Sequence, residues 1–130
     1  MIHDEICTYE VCKLAKEKGF PQHPNKNGKC RIYTLDKSKN SYVLCDWNAW
    51  ISAPWASEVI AAPTQSLLQR WLREEKGLIL IIRFDPSEQM YDWGVFLETQ
   101  PIEFTSSEEY FEKYELALED AIKFALENLV

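Results

Sequence analysis

The chain has no apolar run of about 18 residues or more, so no membrane-spanning helix is expected. Histidine is scarce. His3 and His23 both fall in the first 23 positions, so general acid–base chemistry would have to rest on carboxylates or lysines. There is no glycine-rich phosphate loop, no Ser/His/Asp set and no Cys/His pair with supporting context. Met1 to Cys7 lack the charged and apolar regions of a secretion signal, which makes a cytoplasmic protein the expectation. Positive charge is also short. The net charge is −7, and the deficit is uneven: residues 1–60 hold eight Lys/Arg against seven Asp/Glu, residues 61–130 six against fourteen. Nucleic-acid affinity needs a concentrated basic surface, and the acidic half argues against it. The plainest role of the acidic surplus is solubility.

Four cysteines in an intracellular chain are expected as free thiols. Cys7, Cys12, Cys30 and Cys45, with His3 and His23, could be assembled on paper into a metal site. Their spacing, C-x4-C with distant partners, matches no common zinc pattern. Thiols packed as small hydrophobes are the better reading, and no metal or cofactor is expected.

What is present suits a single domain over residues 1–130, with 46% hydrophobic and 13% aromatic residues to build a core. The organising stretch is Ala62 to Phe84. Pro63 and Thr64 suit a helix start. Leu67, Leu68, Trp71 and Leu72 share one helical face, and Gly77 suits a left-handed stop. Leu78 to Phe84 follows as the most apolar run, and its density predicts an interior strand buried on both faces.

Upstream, Thr8 caps a helix to about Lys18, ended by Gly19 and Phe20-Pro21. Cys30–Leu35 and Ser41–Trp47 alternate as a hairpin. Residues 48–61 have no clean period. Downstream, Asp85-Pro86-Ser87 makes a turn, and Tyr91, Trp93, Val95 and Leu97 alternate as a fourth strand. Thr105 and Ser106 each offer a capping box, predicting a long helix from Ser107 to Asn128. Tyr110, Ala117 and Phe124 widen its apolar stripe, which allows a break near Lys113. The expected fold is α+β, two-layer, with a four-stranded largely antiparallel sheet of two hairpins and helices on one face, in the order α-β-β-α-β-β-α.

Three segments, Tyr9–Phe20, Ala62–Glu74 and Tyr114–Ile122, taken in this order and spacing, resemble a family of small uncharacterised proteins encoded by phages and prophages of gut bacteria. The middle segment is the most specific of the three. The resemblance implies a phage or mobile-element context and no catalytic residues.

Few residues ask for a functional explanation. Asp85, Glu88 and Asp92 surround the second hairpin turn, where a carboxylate group could hold Mg²⁺ or Ca²⁺, but hairpin tips are polar because they are wet. Glu74-Glu75-Lys76 matches the Glu-x-Lys of some nucleases, but at a helix end, without the preceding Pro-Asp. Trp47, Trp50 and Trp55 crowd into nine residues. Trp47 ends a strand and belongs to the core. Trp50, Pro54 and Trp55 lie where no period explains them, and Trp is enriched at interface hot spots, so they are the candidate partner contact. The expected function is therefore non-enzymatic, by protein–protein contact, either with a host or phage protein or as a homodimer. The alternative is a small nucleic-acid-associated factor or enzyme using Arg70, Arg73 and Arg83.

Overall fold

The computed structural model describes residues 5–22, 31–36, 41–45 and 59–130. In chain order these form α1 (Tyr9–Glu17), β1 (Arg31–Asp36), β2 (Ser41–Cys45), β3 (Val59–Ala62), α2 (Gln65–Lys76), β4 (Leu78–Asp85), β5 (Met90–Leu97), β6 (Glu103–Ser106) and α3 (Tyr114–Asn128). The α+β class stands. The single four-stranded sheet does not: the described strands make two separate antiparallel sheets, β2-β1-β3 and β4-β5-β6, in the order α-β-β-β-α-β-β-β-α. The chain divides into two compact units, residues 6–64 and residues 65–130 with Glu5. No helix among the described residues is long and apolar enough to cross a membrane.

In the N-terminal unit, Thr8 starts α1 as expected, its hydroxyl accepting from Val11 N at 3.4 Å. Gly19, at φ +96°, ends it in the left-handed region that glycine enters without strain. The buried face of α1 is Val11, Cys12 and Ala15, with Ile32, Ile60, Ala61 and Ala62 of the sheet also buried. β3 is the strand missed in the aperiodic stretch. It pairs with β1 through Tyr33↔Ile60, and three of its four residues are buried, so it has no alternation to detect. Gln22 Oε1 accepts from Ala61 N at 2.9 Å. Tyr9 stacks on Tyr42 at 4.2 Å and meets Tyr33 edge-on at 5.7 Å, while the Tyr33 hydroxyl donates to Cys7 O at 2.9 Å.

In the C-terminal unit, α2 begins directly after Thr64, and Gly77 at φ +65° closes it. Its fully buried residues are Leu68 and Leu72; Trp71 is half-buried, with the Lys76 ammonium 5.3 Å from its ring. Register sets the two faces of the sheet. Leu78, Leu80 and Ile82 pair with Leu97, Val95 and Trp93 on the face toward the helices. Leu118, Ile122 and Leu126 of α3 fill this core, and Ala117, Ala121 and Ala125 bring α3 close. Gln65, buried at the start of α2, donates from Nε2 to Glu115 O and Glu119 Oε1, both at 2.9 Å, tying α2 to α3.

Two expectations for this unit are corrected. β4 is not an interior strand: among the described residues it pairs only with β5, and its second face leaves Ile81 exposed. The helix does not begin at Ser107. Glu103–Ser106 instead forms β6, and α3 starts at Tyr114 with Lys113 as its N-cap, at the break the widened stripe allowed. A Cβ added at Gly94, the residue paired with Ser106, would lie 2.9 Å from the Glu103 carboxylate, so glycine there permits the approach of that side chain.

Candidate functional site

Trp50, Pro54 and Trp55 lie outside the described residues, as do Trp47, His3, His23 and Cys30. Cys7 and Cys12 are buried, with Cys12 Sγ 3.6 Å from Cys7 O. Among the described residues no group of three or more His, Cys, Asp and Glu could hold a metal ion.

Of the three arginines of the nucleic-acid alternative, Arg70 and Arg73 lie exposed three residues apart on α2, and Arg83 lies on β4. Arg83 lies on the sheet face turned away from the helices, in register with Asp92. Its guanidinium donates to Asp92 Oδ1 and Oδ2 at 3.2 and 3.1 Å and to Glu103 Oε2 at 2.7 Å, and both carboxylates raise its pKa further, Glu103 foremost. One positive charge between two negative ones offers nothing to a phosphate. Arg70, on α2, pairs with Glu74 at 2.9 Å. Two of the three carboxylates around the hairpin turn, Asp85 and Asp92, are equally committed. Asp85 accepts from the Ser87 hydroxyl at 2.7 Å and from Ser87 N at 2.9 Å, and Asp92 serves Arg83.

The site that the structure does assemble lies beside β5. Trp93 N donates to Ser107 Oγ at 3.2 Å, and Ser107 N donates to Trp93 O at 2.9 Å. Tyr91 and Phe111 exchange backbone bonds at 2.8 and 2.7 Å. The stretch from Ser107 to Phe111 is longer than the β5 stretch it faces, so Glu108, Glu109 and Tyr110 bow outward, as in a bulged pairing. Ser107 Oγ donates to Glu109 O at 3.0 Å and fixes the bow.

Beneath the bow opens a pocket of about 400 Å³, lined by Trp93, Thr105, Ser106, Ser107, Glu108, Glu109, Asp120 and Phe124. Trp93 is buried and donates from Nε1 to Asp120 Oδ2 at 2.9 Å. Phe124, one turn further along α3, lies 5.1 Å from the indole. Strand alternation turned Trp93 inward as expected. Asp120 and the polar bow were missed, because Thr105 to Glu109 read as helix caps. The available signal was Phe124, an aromatic residue widening an already complete stripe.

On the other side of the bow stands an aromatic end. Phe84 and Tyr91 are 5.2 Å apart, and Tyr91 meets Tyr114 edge-on at 6.0 Å. Phe84, Tyr110 and Tyr114 are 49%, 44% and 43% exposed. The Tyr110 hydroxyl donates to Asp85 Oδ2 at 3.1 Å. Its phenol is pushed above the usual tyrosine range by that bond and by the negative charges of Asp85, Glu88 and Asp92. Asp85 is held below the usual carboxylate range, mainly by the Ser87 hydroxyl, then by Ser87 N–H. A depressed carboxyl pKa adds stability that is fully present above its unfolded value and is lost as pH falls through the folded one. Ser87→Ala should therefore move the Asp85 titration upward toward the ordinary range, followed by carbon-detected NMR of the side-chain carboxyl. A titration that stays put would remove Ser87 as the cause.

Chemically, the arrangement is a recess with an aromatic floor, hydroxyl sides and a carboxylate rim, next to exposed aromatic surface. No protein-family model matches the chain, and neither the curated proteins nor the solved structures hold a significant match.

Proposed function

We propose that the chain is a non-enzymatic accessory protein that acts by contact with another protein, in the phage or prophage setting that its family resemblance implies. The observation that carries this reading is the aromatic end of the C-terminal unit. Phe84 and Tyr114 both meet the Tyr91 ring, Tyr110 bonds Asp85 next to Phe84 in the chain, and all three keep half or nearly half of their surface in water. Tyrosine and other aromatic rings are the residues that interface centres concentrate, because they bury much area at little rotamer cost. The pairing of Arg83 with Asp92 and Glu103 weakens the nucleic-acid alternative. Trp50, Pro54 and Trp55 remain the second contact proposed, with a two-fold homodimer as its simplest form.

The test is cross-linking mass spectrometry on the full chain expressed in a bacterial host, with sedimentation velocity of the purified protein. Cross-links from one reproducible protein, or from a second copy, should converge on residues 84–116 or 48–58. Trp50→Ala and Trp55→Ala should weaken any self-association more than they lower stability. Salt-dependent binding of labelled DNA or RNA, with no converging cross-links, would replace this reading by the nucleic-acid one.

A further inference from the structure

The pocket beside β5 has a definite chemical sign. Its lining includes three carboxylates, Glu108, Glu109 and Asp120, and no lysine or arginine among the described residues. Two cations of this unit are engaged elsewhere: Arg83 by Asp92 and Glu103, Lys123 by Glu127 at 3.9 Å. Glu108 and Glu109 are exposed on the bow, and Asp120 spends Oδ2 on the indole. Phe124 and Trp93 supply ring surface, which attracts a cation through the ring quadrupole. The adjoining aromatic end carries its own negative set: Asp85, foremost through its hydrogen bond, then Glu88 and Asp92 lift the Tyr110 phenol.

Resting on the contact reading above, we infer that the partner presents a basic segment, seating one lysine or arginine side chain in the recess under Glu108 and Glu109 while its neighbours lie on Tyr110 and the aromatic end. A protein segment suits this site better than a free amine. The recess is open at the bow, and exposed Tyr110 follows its rim residue Glu109 directly, so a small amine in the recess would leave this neighbouring aromatic surface uncovered. Charge complementarity of this kind sets partner choice and association rate.

The experiment uses the full ¹⁵N-labelled chain with four probes: a short lysine-rich peptide, its arginine counterpart, its glutamate counterpart, and spermine. The lysine or arginine peptide should shift the Trp93 indole N–H and the amides of residues 107–111. Glu108→Gln with Glu109→Gln should weaken this binding about tenfold, as expected for lost charge-assisted contacts. Glu75→Gln with Glu98→Gln, exposed carboxylates at the far end of the sheet, should leave it unchanged. Shifts spread over the whole acidic surface, equal response to the glutamate peptide, or spermine matching the peptides would overturn the inference. So would an undiminished affinity in the Glu108/Glu109 variant. None of these outcomes touches the contact reading, which stands or falls by the cross-links.

Discussion

Leu72→Ala should lower the stability of the C-terminal unit by about 2–5 kcal/mol, the range for deleting a leucine side chain from a packed core. Leu72 has no solvent exposure and stands in the same core as Leu80, Ile122 and Leu126. Periodicity alone gives Leu67, Leu68, Trp71 and Leu72 equal standing, and by size it favours Trp71 as the costliest truncation. The structure reverses that order. Trp71 is half-buried with the Lys76 ammonium 5.3 Å from its ring, so Trp71→Ala leaves a hollow that water can fill and avoids the cavity cost of a sealed core site. Its cost should be about 1–2 kcal/mol. Against a total of about 5–15 kcal/mol for a domain, the Leu72 variant approaches unfolding and the Trp71 variant does not. Urea midpoints of the two decide. Equal midpoints, or a lower one for Trp71→Ala, would place the indole in the core instead. Arg70→Ala, an exposed change at a pair on the helix surface, should leave the midpoint where it is.

The elements that were legible are those with both a period and a punctuation mark. α1 has Thr8 and Gly19, α2 has Pro63 and Gly77, and β5 alternates through Tyr91, Trp93, Val95 and Leu97. The two missed strands have neither. β3 and β6 are four residues each, β3 is buried along three of them, and β6 carries hydroxyls at Thr105 and Ser106 that cap helices as readily as they end strands. With β3 and β6 unseen, two hairpins had to share one sheet. The interior position expected for β4 failed for a different reason. Ile79 and Ile81 make the run apolar on both faces, but hydrophobicity does not say whether the second face is covered or left exposed. Here Ile81 is 39% exposed, and the row beside it carries the Arg83 ion pairs.

The candidate site was less legible than the fold, and the cause is long-range pairing. Nothing local links Trp93 to Asp120 or Ser107. The link appears only when β5 lies between the bow and α3. Asp120 lies one turn before Phe124 on α3, so a carboxylate and an aromatic ring share one helical edge and reach the same indole from that side. Glu108 and Glu109, which a capping box would have turned back onto a helix start, point instead from a bulge.

Trp93→Ala carries the other large expected effect, about 3–5 kcal/mol, because it empties a buried indole volume between β5 and α3. A variant that destabilised says nothing about binding, so the informative partner is Trp93→Phe. It keeps an aromatic ring against Phe124 and removes the donor to Asp120 together with part of the indole volume. The expected loss is about 1–1.5 kcal/mol, the net worth of a hydrogen bond to a charged acceptor that water can partly replace. The released Asp120 oxygen then becomes available at the recess. If a basic segment is the ligand, Trp93→Phe should bind the lysine or arginine peptide at least as tightly as the wild type does, while Asp120→Asn should bind it less tightly at little cost in stability. Calorimetric unfolding and peptide titration on the same three proteins separate the two quantities. A Trp93→Phe variant as stable as the wild type would show that the indole bond contributes nothing to the fold. One that loses peptide affinity while Asp120→Asn keeps it would mean that the indole, rather than the carboxylate, makes the contact.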